Sequence, residues 1–265
     1  MHRARAIAKS ADAATDGLPS AAASAPAPVS GTWPALGLGA IALGTIGLVL
    51  VVQAGLDWLP LAGALAVYAA IAGVVAHRID AYHPHARFGA ANGITLARAV
   101  INCLLVGLLL DLERLAGHEA TVGVIFVAFA AISLALDGLD GIAARRLRLE
   151  SRFGARFDVE VDGLLLVLLA TAAYRLDKVG IWVLAIGGVY YVFLAAQHLM
   201  PWLRAPLPPS FRRKVVCVVQ GASLVVLLLP FVDPPLSTAI AAGALAALAW
   251  SFAVDVVLLW RTRRA

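Results

Sequence analysis

Residues 121–162 read TVGVIFVAFAAISLALDGLDGIAARRLRLESRFGARFDVEVD. From Thr121 to Leu136 no residue is charged. At 1.5 Å per residue that run is about 24 Å of helix, close to the roughly 20 apolar residues that cross a bilayer. It ends abruptly on Asp137, and a second apolar run begins after Asp162. Comparable runs lie at Ile181 to Leu199, Val215 to Phe231 and Leu236 to Trp260. The 265 residues are 62% hydrophobic and 14% charged, whereas soluble domains average near half apolar and about a quarter charged. The reading is an all-α integral membrane protein of about eight spans, near 35–53, 59–76, 94–110, 119–144, 155–175, 179–199, 215–231 and 236–260.

The formal net charge of +5 does not point to nucleic acid, because no nucleic-acid motif is present. The basic residues stand at the ends of apolar runs, where anionic lipid and phosphate are the natural partners. Arg78 and Arg87, then Arg145 to Arg156, then Arg204 and Arg212 to Lys214, and finally Arg261 to Arg264, all fall on one side of the eight-span scheme. The other side holds Arg114, Arg175 and Lys178. The positive-inside rule places both termini in the cytoplasm, with a bacterial inner membrane as the expected location. Residues 1–30, rich in Ala, Ser and Pro, read as a disordered cytoplasmic tail and not as a secretory signal. An organelle-targeting peptide is the weaker alternative. Residues 31–80 read as an accessory two-helix hairpin, with Gly37, Gly39, Gly44 and Gly47 permitting close packing. Residues 81–265 form a six-helix core. Cys103 and Cys217 lie inside apolar runs and read as buried small hydrophobes.

The chemistry is carried by Asp137, Asp140, Asp158 and Asp162, four aspartates within 26 residues. Each costs about 2.5–3.5 kcal/mol at the centre of an inserted helix, so they need a compensating partner. Asp137 and Asp140 share a helix face at i, i+3, and Asp158 and Asp162 share one at i, i+4. A short basic connection makes their helices antiparallel neighbours, so the four carboxylates converge. Oxygen-only ligation of this kind suits Mg²⁺, Mn²⁺ or Ca²⁺. Gly141 and Gly154 leave room for a ligand, Ala144 keeps the acidic face open, and Arg145 offers a planar fork to phosphate. Metals would neutralise a pyrophosphate while one carboxylate takes a proton from an attacking hydroxyl. Glu160 falls off the shared face. A transporter or channel with an acidic cation site is the competing class.

The spacing resembles the signature of the CDP-alcohol phosphotransferase family, Asp-x2-Asp-Gly-x2-Ala-Arg-x8-Gly-x3-Asp-x3-Asp, filled here by Asp137, Asp140, Gly141, Ala144, Arg145, Gly154, Asp158 and Asp162. The resemblance implies that Asp137, Asp140 and Asp158 hold two Mg²⁺ (or Mn²⁺) ions, with Asp162 as base and a share in metal binding. It implies that Gly141, Arg145 and Ser151 contact the CDP part of the donor. Asn92, Thr95 and Arg98 resemble the opening of the family's first core helix, which approaches the nucleotide. The implied partners are a CDP-linked lipid such as CDP-diacylglycerol, an alcohol acceptor and membrane lipids. A CDP-linked small alcohol with a lipid acceptor is an alternative, and a homodimer is left open. Arg212 to Lys214 followed by Gln220 resembles the basic loop and glutamine of phosphatidylglycerophosphate synthases. Their Arg-Glu pair is replaced by Gln197-His198, which disfavours glycerol 3-phosphate. The segment around the last two aspartates differs from that of phosphatidylserine synthases, which disfavours serine.

The orientation has a direct check. Cysteines introduced in the N-terminal tail and next to Arg263 should react only with reagents that reach the cytoplasm. Labelling of either end from outside would overturn the eight-span scheme.

Overall fold

The computed structural model describes residues 28–54, 57–147 and 151–263, with side chains described except at 54 and 139–147. Eight α-helices occur among these residues: α1 Thr32–Ala54, α2 Trp58–Tyr82, α3 Gly89–Leu110, α4 Glu119–Leu147, α5 Arg152–Arg175, α6 Leu184–Leu199, α7 Phe211–Leu227 and α8 Leu236–Thr262. A 3₁₀ turn at Ile181–Val183 leads into α6, and another at Pro201–Arg204 follows it. No strand occurs among the described residues beyond one isolated bridge, Ser30 with Arg87.

Six of the eight helices are long and apolar enough to cross a membrane: α1, α2, α3, α4, the Ile181–Leu199 segment and α8. The chain is an integral membrane protein. The two remaining helices differ for a physical reason. α5 carries Arg152, Arg156, Asp158, Glu160 and Asp162 in its first half, and α7 has 17 residues and opens on Arg212, Arg213 and Lys214. α5 lies among other helices, packing against α2, α3, α4, α6 and α7. A helix surrounded by other helices does not need a lipid-compatible surface.

Local chemistry sets the helix ends. Ser151 caps α5 in extended geometry, its hydroxyl accepting from the Gly154 N–H at 2.9 Å. Arg175 stands in the last turn, where a cation suits the helix dipole. The α5 face at Phe153, Phe157, Val161, Leu165, Leu168 and Leu169 is buried at helical spacing. α7 begins four residues earlier than its apolar run suggests. Its first turn is held from outside: Arg212 and Arg213 reach Asp255 of α8 at 2.5 and 3.1 Å.

Of the expected tail, residues 1–27 lie outside the described residues. Residues 28–30 are described and are held to the start of the core. The Val29 N–H donates to Asp80 Oδ1 at 2.9 Å, and Ser30 N donates to the Ala86 carbonyl. α1 and α2 do pack closely at Gly39, where an added Cβ would lie 2.3 Å from the Tyr68 hydroxyl. That hydroxyl donates to the Leu36 carbonyl at 2.6 Å. Cys103 is buried, but Cys217 is exposed on α7, contrary to the sequence reading. The far end of the bundle is charge-matched: Arg114 pairs with Asp57, Arg175 with Glu113 and Lys178 with Asp233.

The close approach of α6 to α5 gives a stability test. A Cβ on Gly187 of α6 would sit 2.7 Å from Val167 Cα and 2.9 Å from the Leu166 carbonyl oxygen, both α5 backbone. Backbone cannot swing aside as a side chain can, so Gly187→Ala must push α6 away from α5. Thermal unfolding in detergent should show Gly187→Ala less stable by about 1–3 kcal/mol. Gly188→Ala, where nothing lies within 4 Å, should be close to neutral.

Candidate active site

The centre lies where three helices meet. α3 supplies Arg98, α4 supplies Asp137, and α5 supplies Asp158 and Asp162. One ligand oxygen from each of these aspartates falls within 4.8 Å of the others. Arg98 has no exposed side-chain surface, while the aspartates retain 34–40% of theirs. Its Nη1 lies 2.9 Å from Asp137 Oδ1 and 2.5 Å from Asp158 Oδ1, and its Nη2 donates to Asp162 Oδ1. One planar guanidinium therefore ties three helices together, which a lysine's point charge could not do with the same geometry. The sequence suggested Arg98 near a nucleotide or reaching to the interface. Its guanidinium is drawn inward, because like-charged carboxylates at this distance need a cation between them.

Below Arg98 by one turn, Asn102 is fully buried, and its amide donates to the Val161 carbonyl at 2.9 Å. It fastens α3 to α5 next to Asp162. The signal was available: Asn102 is a polar residue inside an apolar run, four positions from Arg98.

A second cluster lies toward the helix ends. Asn92 is buried and donates to the Phe88 carbonyl at 2.6 Å. Its Oδ1 faces Gly154 so closely that a Cβ there would lie 2.9 Å away, with Ser151 Oγ at 3.1 Å. Asn92, Ser151 and Gly154 thus meet, as the sequence pattern leads one to expect for residues of one site. Thr95, between the two clusters, is buried and bonds the Ala91 carbonyl at 3.1 Å.

Ser151 has a partner that sequence reading missed. His83, 6% exposed, places Nδ1 2.9 Å from Ser151 Oγ and Nε2 2.9 Å from the Arg87 carbonyl. A carbonyl can only accept, so Nε2 carries the proton. In the neutral ring, Nδ1 then accepts from the Ser151 hydroxyl, which itself accepts from Gly154 N–H. Nothing in the sequence around His83 links it to a serine 68 positions away.

Asp140, Gly141, Ala144 and Arg145 lie on the α4 backbone, but their side chains fall outside the described residues. Glu160 faces elsewhere, pairing with Arg156 at 2.6 Å and accepting from the Tyr190 hydroxyl at 3.2 Å. Gln220 is buried and donates to the Ala244 carbonyl, so it serves the α7–α8 contact. Arg212 and Arg213 stand in the first turn of α7 and not in a loop. Gln197 and His198 close the end of α6 on the Leu203 carbonyl and on Arg204.

The donor set fits a hard divalent cation. Three carboxylates from two helices offer only oxygen, and among the described side chains they outnumber the one guanidinium that faces them. A family model for CDP-alcohol phosphatidyltransferase matches residues 88–256, from the foot of α3 into α8, and leaves α1 and α2 outside. The fold and the match define a membrane-embedded phosphotransferase. The chain belongs to the CDP-alcohol phosphatidyltransferase family, whose members depend on divalent metal. No curated protein and no solved structure matches it.

Metal should therefore stabilise the fold. With Mg²⁺ or Mn²⁺ at about 100 times its dissociation constant, the native state gains about 2.7 kcal/mol. The unfolding temperature of purified protein should rise with added metal and fall back with EDTA. Asp137→Asn should shrink that shift. A wild-type unfolding curve insensitive to both additions would contradict a metal centre.

Proposed function

We propose that this chain moves a phosphatidyl group from a CDP-linked lipid, such as CDP-diacylglycerol, to an alcohol and releases CMP, as a step of phospholipid biosynthesis. The observation that carries this reading is the convergence of Asp137, Asp158 and Asp162 on Arg98 inside a family-matched helical core. Family membership in a group of transferases weighs against the ion-carrier alternative.

In this reading Asp137, Asp140 and Asp158 hold the metal, two Mg²⁺ or Mn²⁺ ions, with Asp162 sharing in that task. When bound, the metal supplies positive charge to the donor pyrophosphate. Arg145, Gly141 and Ser151 receive the CDP moiety, and Asn92, Thr95, Ala144 and Gly154 shape the space beside it. Arg98 orients the carboxylates. It engages Asp162 through Oδ1, which leaves Oδ2, in this reading, to take the proton from the acceptor hydroxyl. Proton removal there raises the nucleophilicity of the oxygen that attacks the β-linked lipid phosphorus, and CMP leaves.

All eight helices cross the bilayer in this proposal, α1 and α2 as an accessory hairpin and α3–α8 as the core. Both termini and the acidic centre face the cytoplasm in it. The count of basic residues supports that orientation, because the far end holds only Arg114, Arg175 and Lys178 among the described residues.

Two measurements test the proposal. Purified protein given CDP-diacylglycerol, metal and a panel of alcohols should yield one new phospholipid by mass spectrometry. A parallel arm with a CDP-linked small alcohol and diacylglycerol decides which partner carries the lipid. Among variants, Asp162→Asn should lower turnover by about a hundredfold or more, the usual scale for a lost general base, while metal-dependent nucleotide binding survives. Asp137→Asn should weaken nucleotide binding as well. Near-normal turnover of Asp162→Asn at saturating metal would remove Asp162 from the base role.

A further inference from the structure

A cavity of about 700 Å³ opens between α2 and α5, within the roughly 300–1,000 Å³ span of small-molecule sites. One of its walls, α2, lies outside the residues that the family model matches. The site is therefore partly built by this chain's own addition to the core.

The cavity is polarised along its length. Ile71, Val74 and Leu164 line one end. Arg78, Tyr82, Arg152 and Arg156 line the other. The one acid there, Glu160, is already engaged by Arg156 and by the Tyr190 hydroxyl. Arg78 and Arg152 form no ion pair among the described residues. From Ile71 to Tyr82 the cavity follows α2 for about 16 Å, so its apolar end reaches into the zone occupied by lipid chains. Val74 is 63% exposed, which leaves that end open to the bilayer from the side.

Guanidinium forks at the membrane interface suit phosphate oxygens. A tyrosine at that level suits the headgroup region. The first turn of α5 adds the positive end of its dipole. The acidic centre is separate: Glu160 is two positions from both Asp158 and Asp162, a rotation of about 200° around α5.

The geometry points to a binding site for an anionic phospholipid between α2 and α5. Arg78, Arg152 and Arg156 hold its phosphate, and an acyl chain lies on Ile71, Val74 and Leu164. The occupant joins the hairpin to the helix that carries Asp158 and Asp162, and it is not the molecule undergoing transfer. The proposal does not depend on the transfer reaction.

Native mass spectrometry of the full chain, without CDP donor or alcohol, tests it. Protein incubated in mixed micelles should retain one phosphatidylglycerol in preference to phosphatidylcholine. Arg78→Gln and Arg152→Gln together should weaken retention by about thirtyfold, from roughly 1 kcal/mol per basic group. Val74→Trp, a change at an exposed position that fills the apolar end, should lower retention without touching the arginines. It keeps the test decisive if the double variant does not fold. Asp162→Asn should retain lipid as the wild type does, whatever its turnover. Equal retention of phosphatidylcholine, displacement of lipid by inorganic phosphate, or unchanged retention in the Val74→Trp protein would overturn the proposal. So would loss of lipid in Asp162→Asn, since that would place the lipid in the acidic centre.

Discussion

A guanidinium with no exposed surface, set among three carboxylates in a membrane bundle, fixes what the surrounding helices can do. Removing one partner from a buried ion cluster typically costs about 3–5 kcal/mol, because the remaining charge is stranded. Arg98 comes from α3, Asp137 from α4, and Asp158 and Asp162 from α5. The register of these three helices is therefore specified by charge. Apolar packing alone would specify it poorly, since one alanine- or leucine-rich surface slides against another at little cost. Asn102 and its bond to the Val161 carbonyl pin the same pair of helices one turn deeper.

The position of α5 follows. A helix with five charged residues in its first half is a poor neighbour for lipid and a good one for protein. It sits inside the bundle, with apolar helices taking the outer places. Small residues let the neighbours approach: at Gly187 the backbone of α6 rides directly on α5. In a bilayer, where lipid chains are as apolar as leucine, such close packing and internal polar bonds hold helices together.

The helices were legible because their apolar runs are long, and the acidic face was legible because i, i+3 and i, i+4 spacing is a local property. What was not legible is tertiary. The role of Arg98 as the hub of the acids depends on α3 facing α4 and α5, which no local pattern states. The start of α7 was read four residues late, because its basic first turn looks like a loop until Asp255 of α8 is placed opposite it. The bond that ties Val29 to Asp80, 51 residues away, is likewise tertiary. His83 gave no local signal at all.

The chain of hydrogen bonds through Ser151 has a directional consequence. With the His83 ring neutral, the serine's single proton is committed to Nδ1, and one of its lone pairs is committed to the Gly154 N–H. A hydroxyl in that state has nothing left to give and one lone pair left to offer. It cannot donate to a phosphate oxygen. A nucleotide meeting Ser151 must present a hydrogen of its own, such as the exocyclic amine of cytosine or a ribose hydroxyl. On the proposed reading, in which Ser151 receives the CDP moiety, the serine at the head of α5 would meet the base or sugar of the donor, and the phosphates would fall to cationic groups.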